Sequence, residues 1–299
     1  LPPPEPATQT LRAEERLLFA IAYRMTGSAA DADDIVQEAF ARALEHPPAG
    51  ERRPYLVRIA SNLARDRLRR RKREGYRGPW VPSPIDEDVL TEERASLEPT
   101  PEARYDLAES ASLAFLLALE ALPPKARQVL VLRDVFDCSV EETAQATGLA
   151  VSNVKVTHHR ARRVLERYEP SRRDPALATA ALTALMTAVA SGDLERAKSL
   201  LADDAVCLQD GGGEYLAAGI ELSGPERIVR VLDGVTRRAS PIASIELRAL
   251  SGTAGFVART QPTRAKVAPR WVILCDLAPD GRIRTLYTVL ASRKLSRVA

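Results

Sequence analysis

The chain has 299 residues, which suggests two or three domains, each large enough for its own core. Its hydrophobic share of 45%, charged share of 28% and net charge of +3 are ordinary for a soluble protein, so a nucleic-acid role must come from local clustering of cations. Aromatics at 5% argue against an extended base-stacking surface. Cys138, Cys207 and Cys275 lie far apart without CxxC spacing, as reduced thiols of a cytoplasmic protein do. His46, His158 and His159 have no metal-ligand partners at useful spacing, so neither a metal nor a cofactor is expected. No apolar run would span a bilayer and the Pro-rich start is not a signal peptide, so no membrane partner is expected.

Residues 1–10, LPPPEPATQT, read as a disordered lead, and the start at Leu1 as the loss of an initiator or tag. Leu17, Ile21 and Met25, with Leu18 and Ala22, predict an amphipathic helix ending near Gly27. Asp31 is placed to cap the next helix, with Val36, Phe40 and Leu44 as its buried stripe. Asp33, Asp34, Gln37 and Glu38 crowd the start of that helix, and several should stay in water. The loop PPAGERRP then leads to Tyr55–Arg73, YLVRIASNLARDRLRRRKR. There Leu56, Ile59, Leu63 and Leu68 recur at helical spacing and predict a core face. Arg58, Asn62, Arg65 and Arg69 fall on another face, a cationic stripe interrupted by one amide. Cations bind phosphate regardless of sequence, while an Asn can pair with a base edge. The three helices read as one small bundle.

Residues 75–112 are Pro-rich, then acidic, and read as a linker. Trp80 within it would prefer a partner surface. Leu113–Tyr168 is helical again, with Leu116, Leu119 and Leu122 before Pro123-Pro124, which start a helix carrying Val129, Leu130 and Val135 inward. Ser139-Val-Glu-Glu142 is a capping box, and its helix should end at Gly148. Ala144, Gly148 and Val154 have helix-turn-helix spacing, and Ser152 is placed to cap the second helix. Val154, Ala161, Leu165 and Tyr168 form its apolar line, leaving Ser152, Asn153, Lys155, Val156, His159, Arg160 and Arg163 outside. In this motif the second helix enters the major groove.

After the EPSRRDP linker, helices are predicted near 175–190, 193–202 and 225–238, and strands near 243–250, 254–261, 270–277 and 283–290. Asp280-Gly281 marks a hairpin turn. Gly211, Gly212 and Gly213 stand between short apolar runs and would permit positive φ and close approach of another segment. A phosphate loop is the rival reading, but no Lys-Ser or Lys-Thr and no helix follow. Helices first and antiparallel strands after predict an α+β domain.

The stretch DADDIVQEAFARAL with YLVRIASNLARDRLRRRKR resembles the second region of extracytoplasmic-function sigma factors, and LEALPPKARQVLVLRDVFDCSVEETAQATGLAVSNVKVTHHRARRVL resembles their fourth. The C-terminal part resembles a SnoaL-like domain of the nuclear-transport-factor-like cone fold, an extension that one sigma subfamily carries. That subfamily's Trp-Leu-Pro-Glu-Pro, Asp-Gly-Gly-Gly-Lys and Asn-Pro-Asp-Lys-Leu motifs correspond to Trp80-Val-Pro-Ser-Pro84, Asp210-Gly-Gly-Gly-Glu214 and Ala291-Ser-Arg-Lys-Leu295. Glu214 reverses a charge and Asn-Pro-Asp is lost.

The resemblance implies a multidomain protein: two all-α sigma domains at 10–74 and 113–169, the second a helix-turn-helix, a linker at 75–112, and an α+β cone at 175–295. It implies bacterial RNA polymerase core and promoter DNA as partners, with Asp33, Asp34, Gln37 and Glu38 on the polymerase. The loop Pro47–Pro54 and Asn62 would hold a base flipped from the −10 element, with Arg58, Arg65 and Arg69 on phosphates, while Tyr55 stands where many relatives have Trp. Ser152, Asn153, Lys155, Val156, His159 and Arg160 would read the −35 element, with His158 a packing residue. Trp80, Pro82, Asp210 and Gly211–Gly213 are the expected interdomain regulatory residues, joining the C-terminal domain to region 2 or the linker in a chain that is a monomer when free. Two rival readings exist: a helix-turn-helix regulator fused to a small-ligand domain, and an isomerase-like C-terminal domain. For the latter Asp204, Asp210, Tyr215, Asp276 and Tyr287 are candidates in composition only, and no enzyme activity is expected.

Overall fold

The computed structural model describes residues 5–96, 107–167, 174–238 and 240–298. They fall into two compact units. The first takes the residues up to Gly75 and those from Asp88 to 167; the second takes Tyr76–Glu87 and the residues from 174 onward.

The first unit begins with α1 (Glu5–Thr26), α2 (Ala29–Glu45) and α3 (Arg52–Glu74), a three-helix bundle. Leu17, Leu18, Ile21, Ala22 and Met25 of α1 are buried, as their spacing predicts. Helix α1 starts at Glu5, so the disordered lead cannot extend to residue 10; residues 1–4 lie outside the described residues. The cap of α2 is Ser28, whose Oγ accepts from the Asp31 amide at 3.2 Å, and Asp31 instead sits in the first turn. Leu44 is 78% exposed, because the buried face of α2 runs through Ala32, Ile35, Ala39 and Ala43 and leaves Leu44 to its side. Helices α4 (Glu87–Ser96), α5 (Leu107–Ser110) and α6 (Leu113–Ala118) follow, then α7 (Pro124–Leu130), which continues as a π-helical turn over Val131–Val135. Helix α8 (Val140–Thr147) carries the predicted capping box and ends at Gly148 in the left-handed conformation. Helix α9 (Val151–Val164) is capped by Ala150, not Ser152, which lies one residue inside the first turn. Val154, Ala161 and Leu165 are buried, and Tyr168 lies outside the described residues.

In the second unit, α10 (Pro175–Ser191) is capped by Asp174 and stopped by left-handed Gly192. Helix α11 (Leu194–Ser199) is shorter than its predicted 193–202, because Leu201 already starts a strand. Strand β1 (Leu201–Asp210) went unforeseen: Asp203 and Asp204 interrupt its apolar alternation with two exposed carboxylates. After β2 (Leu222–Ser223) come α12 (Pro225–Arg238), β3 (Ile242–Leu250), β4 (Thr253–Thr260), β5 (Arg270–Leu277) and β6 (Ile283–Val289), near their predicted positions. The sheet order is β2-β1-β6-β5-β4-β3, antiparallel except for the β1–β6 pair. Leu182, Leu185 and Val189 of α10 and Ile228 and Val229 of α12 share one core with Cys207, Ile273, Cys275 and Leu286 of the sheet. This is the helix-and-sheet architecture that the resemblance implies.

Candidate nucleic-acid interface

The first module presents its cationic face on α3. Arg58 is exposed and its guanidinium lies 5.4 Å from the centroid of Tyr55, a cation–π distance. The Tyr55 hydroxyl donates to the His46 carbonyl at 2.9 Å, which ties α3 to the end of α2. Arg69 is exposed beside Asp66 at 3.5 Å. Asn62 and Arg65 are not free. The Asn62 amide donates to the Ala146 carbonyl at 3.0 Å, and its oxygen accepts from Gln128 Nε2 at 3.2 Å. Arg65 keeps 16% of its side-chain exposure and reaches Gln128 Oε1 at 3.5 Å and Asp66 at 3.3 Å. The amide expected to meet a base is therefore occupied by the helix-turn-helix module of the same chain. Gln128 and Ala146 gave no sequence signal, because a backbone carbonyl can belong to any residue.

Beside this contact lies a cleft of about 920 Å³. The predicted base-pocket loop, with Pro47, Gly50, Arg53 and Pro54, forms one wall; Phe136, Cys138, Glu142, Gln145 and Ala146 form the other. Burial, aided by Glu142, pushes the Cys138 thiol up to about 11, so it stays protonated and unreactive at neutral pH.

Deeper in the unit, a buried cationic network joins the two modules. Arg127, 1% exposed, donates to the Met25 carbonyl at 2.7 Å, to the Leu119 carbonyl at 3.0 Å and to Glu120 at 2.6 Å. Arg71 of α3 reaches the same Glu120 at 2.5 Å and the Thr26 carbonyl at 3.0 Å. Burial alone would raise the Glu120 carboxyl, but Arg127 and Arg71 together hold it below its ordinary value. Arg24, also buried, donates to Ser110 Oγ at 2.7 Å and packs 5.6 Å from the Phe136 centroid.

The second module keeps open the face expected to read DNA. Ser152, Asn153, Lys155, Val156, His159 and Arg160 are all exposed. His158 turns inward, its Nε2 2.7 Å from Asp134 Oδ1, and Arg162 donates to both oxygens of the same carboxylate. Asp134 is 1% exposed; burial works against its charge, but His158 and Arg162 hold its carboxyl below the usual value. The π-helical turn carries Asp134 to this point.

On α2, Asp34 and Gln37 are exposed, and Asp33 and Glu38 are half-buried. Arg42 pairs with Glu38 at 2.5 Å, and Arg67 lies 3.6 Å from Asp31 and 3.9 Å from Asp34. This edge thus combines acids with partly compensating arginines.

Within the second unit, Asp210 is fully buried and accepts from the Tyr76 hydroxyl at 2.6 Å, the Val81 amide at 2.8 Å and the Gly212 amide at 3.0 Å. Lys294 donates to Asp210 and to the Val81 carbonyl, and its ammonium lies 4.3 Å from the Trp80 centroid and 4.8 Å from that of Tyr76. Val81–Asp86 are buried, so this stretch of the expected linker is packed against the C-terminal domain rather than loose. Trp80 is half-buried in that contact and Pro82 is buried beside it. Gly212 has φ +60°, and a Cβ there would stand 2.8 Å from the Ala291 Cβ; a Cβ on Gly211 would meet the Tyr215 carbonyl at 2.5 Å. The glycine run is the backbone condition for this close approach. Tyr76 went unforeseen, and Lys294 was visible only as one letter of a degraded motif.

Of the five candidate acids and tyrosines, Asp276 and Tyr287 meet and the other three lie in separate contacts. Asp276 accepts from the Tyr287 hydroxyl at 2.6 Å, Tyr215 bonds Ser292 at 2.9 Å, Asp204 pairs with Arg284 at 3.2 Å, and Asp210 belongs to the contact just described. Among the described residues no helix is long and apolar enough to cross a membrane.

Residues 10–74 match the sigma-70 region 2 family and residues 112–165 match sigma-70 region 4. The ECF RNA polymerase sigma factor SigJ of Mycobacterium tuberculosis is 32% identical over 291 residues, covering 91% of this chain and 88% of that protein. SigG of the same organism is 40% identical over 175 residues, 53% of this chain and 47% of its own. The crystal structure of SigJ superposes with a TM-score of 0.71 at 26% identity, covering 97% of this chain and 98% of the other. Two sigma regions in order, with a relative matched nearly end to end, exclude a plain helix-turn-helix regulator: the chain belongs to the extracytoplasmic-function sigma factors of RNA polymerase.

Proposed function

We propose that this sigma factor, working in the cytoplasm, rests in a closed state in which its own region 4 covers the −10 reading face. The observation that carries the proposal is the pair of hydrogen bonds on Asn62, from its amide to Ala146 and to its oxygen from Gln128. A flipped base costs a few kcal/mol to extract, so Asn62 must be free to repay it. In the open state Arg58, Arg65 and Arg69 hold the phosphates of the separated strand, Asn62 and the Pro47–Pro54 loop take the flipped base, and Ser152, Asn153, Lys155, Val156, His159 and Arg160 read the −35 duplex. Asp33, Asp34, Gln37 and Glu38 dock on core polymerase, where a basic surface would exchange with Arg42 and Arg67. The mechanism is binding and strand capture without covalent chemistry. The C-terminal domain acts as a regulator and not as a catalyst, because Asp276 and Tyr287 are spent on each other.

The C-terminal domain regulates opening by holding Tyr76–Glu87, the first part of the tether between the two modules. Asp210, Lys294, Trp80, Pro82 and Gly211–Gly213 form that latch, and its release gives the modules the slack that promoter binding needs. The test is transcription by core polymerase and the full chain on templates selected from a random promoter library. Discrete promoter-specific transcripts are expected, stronger with Lys294→Met. Their absence on every template, with the wild type and with Gln128→Ala and Lys294→Met, would overturn the reading.

A further inference from the structure

Strands β3, β4 and β5 place Ser244, Arg259 and Arg270 in one cross-strand row, Arg259 directly opposite each of the other two. Directly opposed residues have Cβ atoms about 5 Å apart, and like charges there repel. Arg259 is exposed and has no carboxylate partner among the described residues. The neighbouring Arg248 is already held by Asp86 at 3.1 Å. Burial lowers the Arg270 guanidinium below its ordinary value, with Arg259 and Arg248 adding to the effect and Asp86 opposing it. Two guanidiniums and a hydroxyl on one row are a donor set for an oxyanion. Arg270 has a second role: it donates to the carbonyl of Leu295, the last residue of the 3-10 turn Ser292–Leu295 that carries Lys294.

We propose that the Ser244–Arg259–Arg270 row binds a small oxyanion of the phosphate class, and that the bound anion draws Arg270 from Leu295, loosens the Lys294 turn and releases Tyr76–Glu87. The coupling half rests on the latch reading above; the binding half does not. The probe is inorganic pyrophosphate, with inorganic phosphate as a second arm, titrated into the full chain by calorimetry at constant ionic strength. Saturable one-to-one binding is expected, weakened at least tenfold in Arg259→Gln, whose side chain supports nothing else in the fold. The latch is read in a Trp271→Phe background, where Trp80 is the sole tryptophan and Lys294 lies over its ring. Pyrophosphate should shift Trp80 emission towards the value of Lys294→Met, and should do nothing in Arg259→Gln. Heat that is non-saturating, equal in Arg259→Gln, or obtained only with duplex DNA overturns the site. Saturable binding with an unmoved Trp80 overturns the coupling. A failure of the latch itself shows separately, as identical Trp80 emission in Lys294→Met and its parent without any anion.

Discussion

Replacing Lys294 by Met tests the latch at its centre. Lys294 is 6% exposed and Asp210 is fully buried, so the change leaves a buried carboxylate without its cation. Breaking a buried pair from one side costs about 3–5 kcal/mol. Here Asp210 retains three donors, from Tyr76, Val81 and Gly212, which places the loss near the lower bound. The cation–π contacts with Trp80 and Tyr76 are lost too, each worth about 0.5–2 kcal/mol, while the Met side chain refills much of the volume. A net loss of about 3 kcal/mol lowers the docking constant of Tyr76–Glu87 by about two orders of magnitude. The Val81 amide reports this directly, since it donates to Asp210 at 2.8 Å only while docked. Hydrogen exchange at Val81 should accelerate about a hundredfold, with exchange in the α10 core unchanged. Adding Asp210→Asn should recover part of the protection, because the unpaired charge is then gone. Val81 exchange unchanged in Lys294→Met would show that Lys294 does not hold the docked segment.

Gln128→Ala removes the bonds to Ser61 and Asn62, each worth about 0.5–1.5 kcal/mol net, and the long contact to Arg65, so binding of a single-stranded −10 oligonucleotide should tighten about 5- to 100-fold by fluorescence anisotropy. Lys155→Ala should weaken −35 duplex binding and reduce the salt slope by about one, because one cation leaves the interface. Glu120 and Asp134 have depressed carboxyls in the folded state, so their stabilisation is present above their ordinary values, 4.5 and 3.8, and is lost as pH falls through the lower folded values. Circular dichroism melts should therefore show steep acid destabilisation below about pH 4, blunted in Glu120→Gln, which is less stable at pH 7.

Elements with a clear local signal were legible in the sequence: α1 from Leu17, Ile21 and Met25, α8 from its capping box, and the last four strands from their short strand-like runs. Strand β1 was not, because its exposed Asp203-Asp204 pair interrupts the apolar run and parallel pairing with β6 is a non-local property. The residues proposed to read the −35 element are exposed, as expected, since helical periodicity alone decides which face of α9 is wet. The state of the −10 face was illegible. Asn62 was identified as the polar residue on a cationic stripe, but its partners are a backbone carbonyl of α8 and a glutamine of α7, joined only by tertiary packing. The glycine run announced a close approach without naming what approaches; Ala291 and Arg77 do so.

In the closed state proposed above, region 4 must leave the −10 face before a promoter is melted. The most direct measurement uses Val57→Cys and Gln145→Cys, on opposite walls of the cleft, in a Cys138→Ala background. A short thiol crosslinker containing a disulfide joins the walls. The crosslinked protein should give no promoter-specific transcript with core polymerase, and reductant should restore the uncrosslinked level. Full transcription from the crosslinked protein would contradict this requirement.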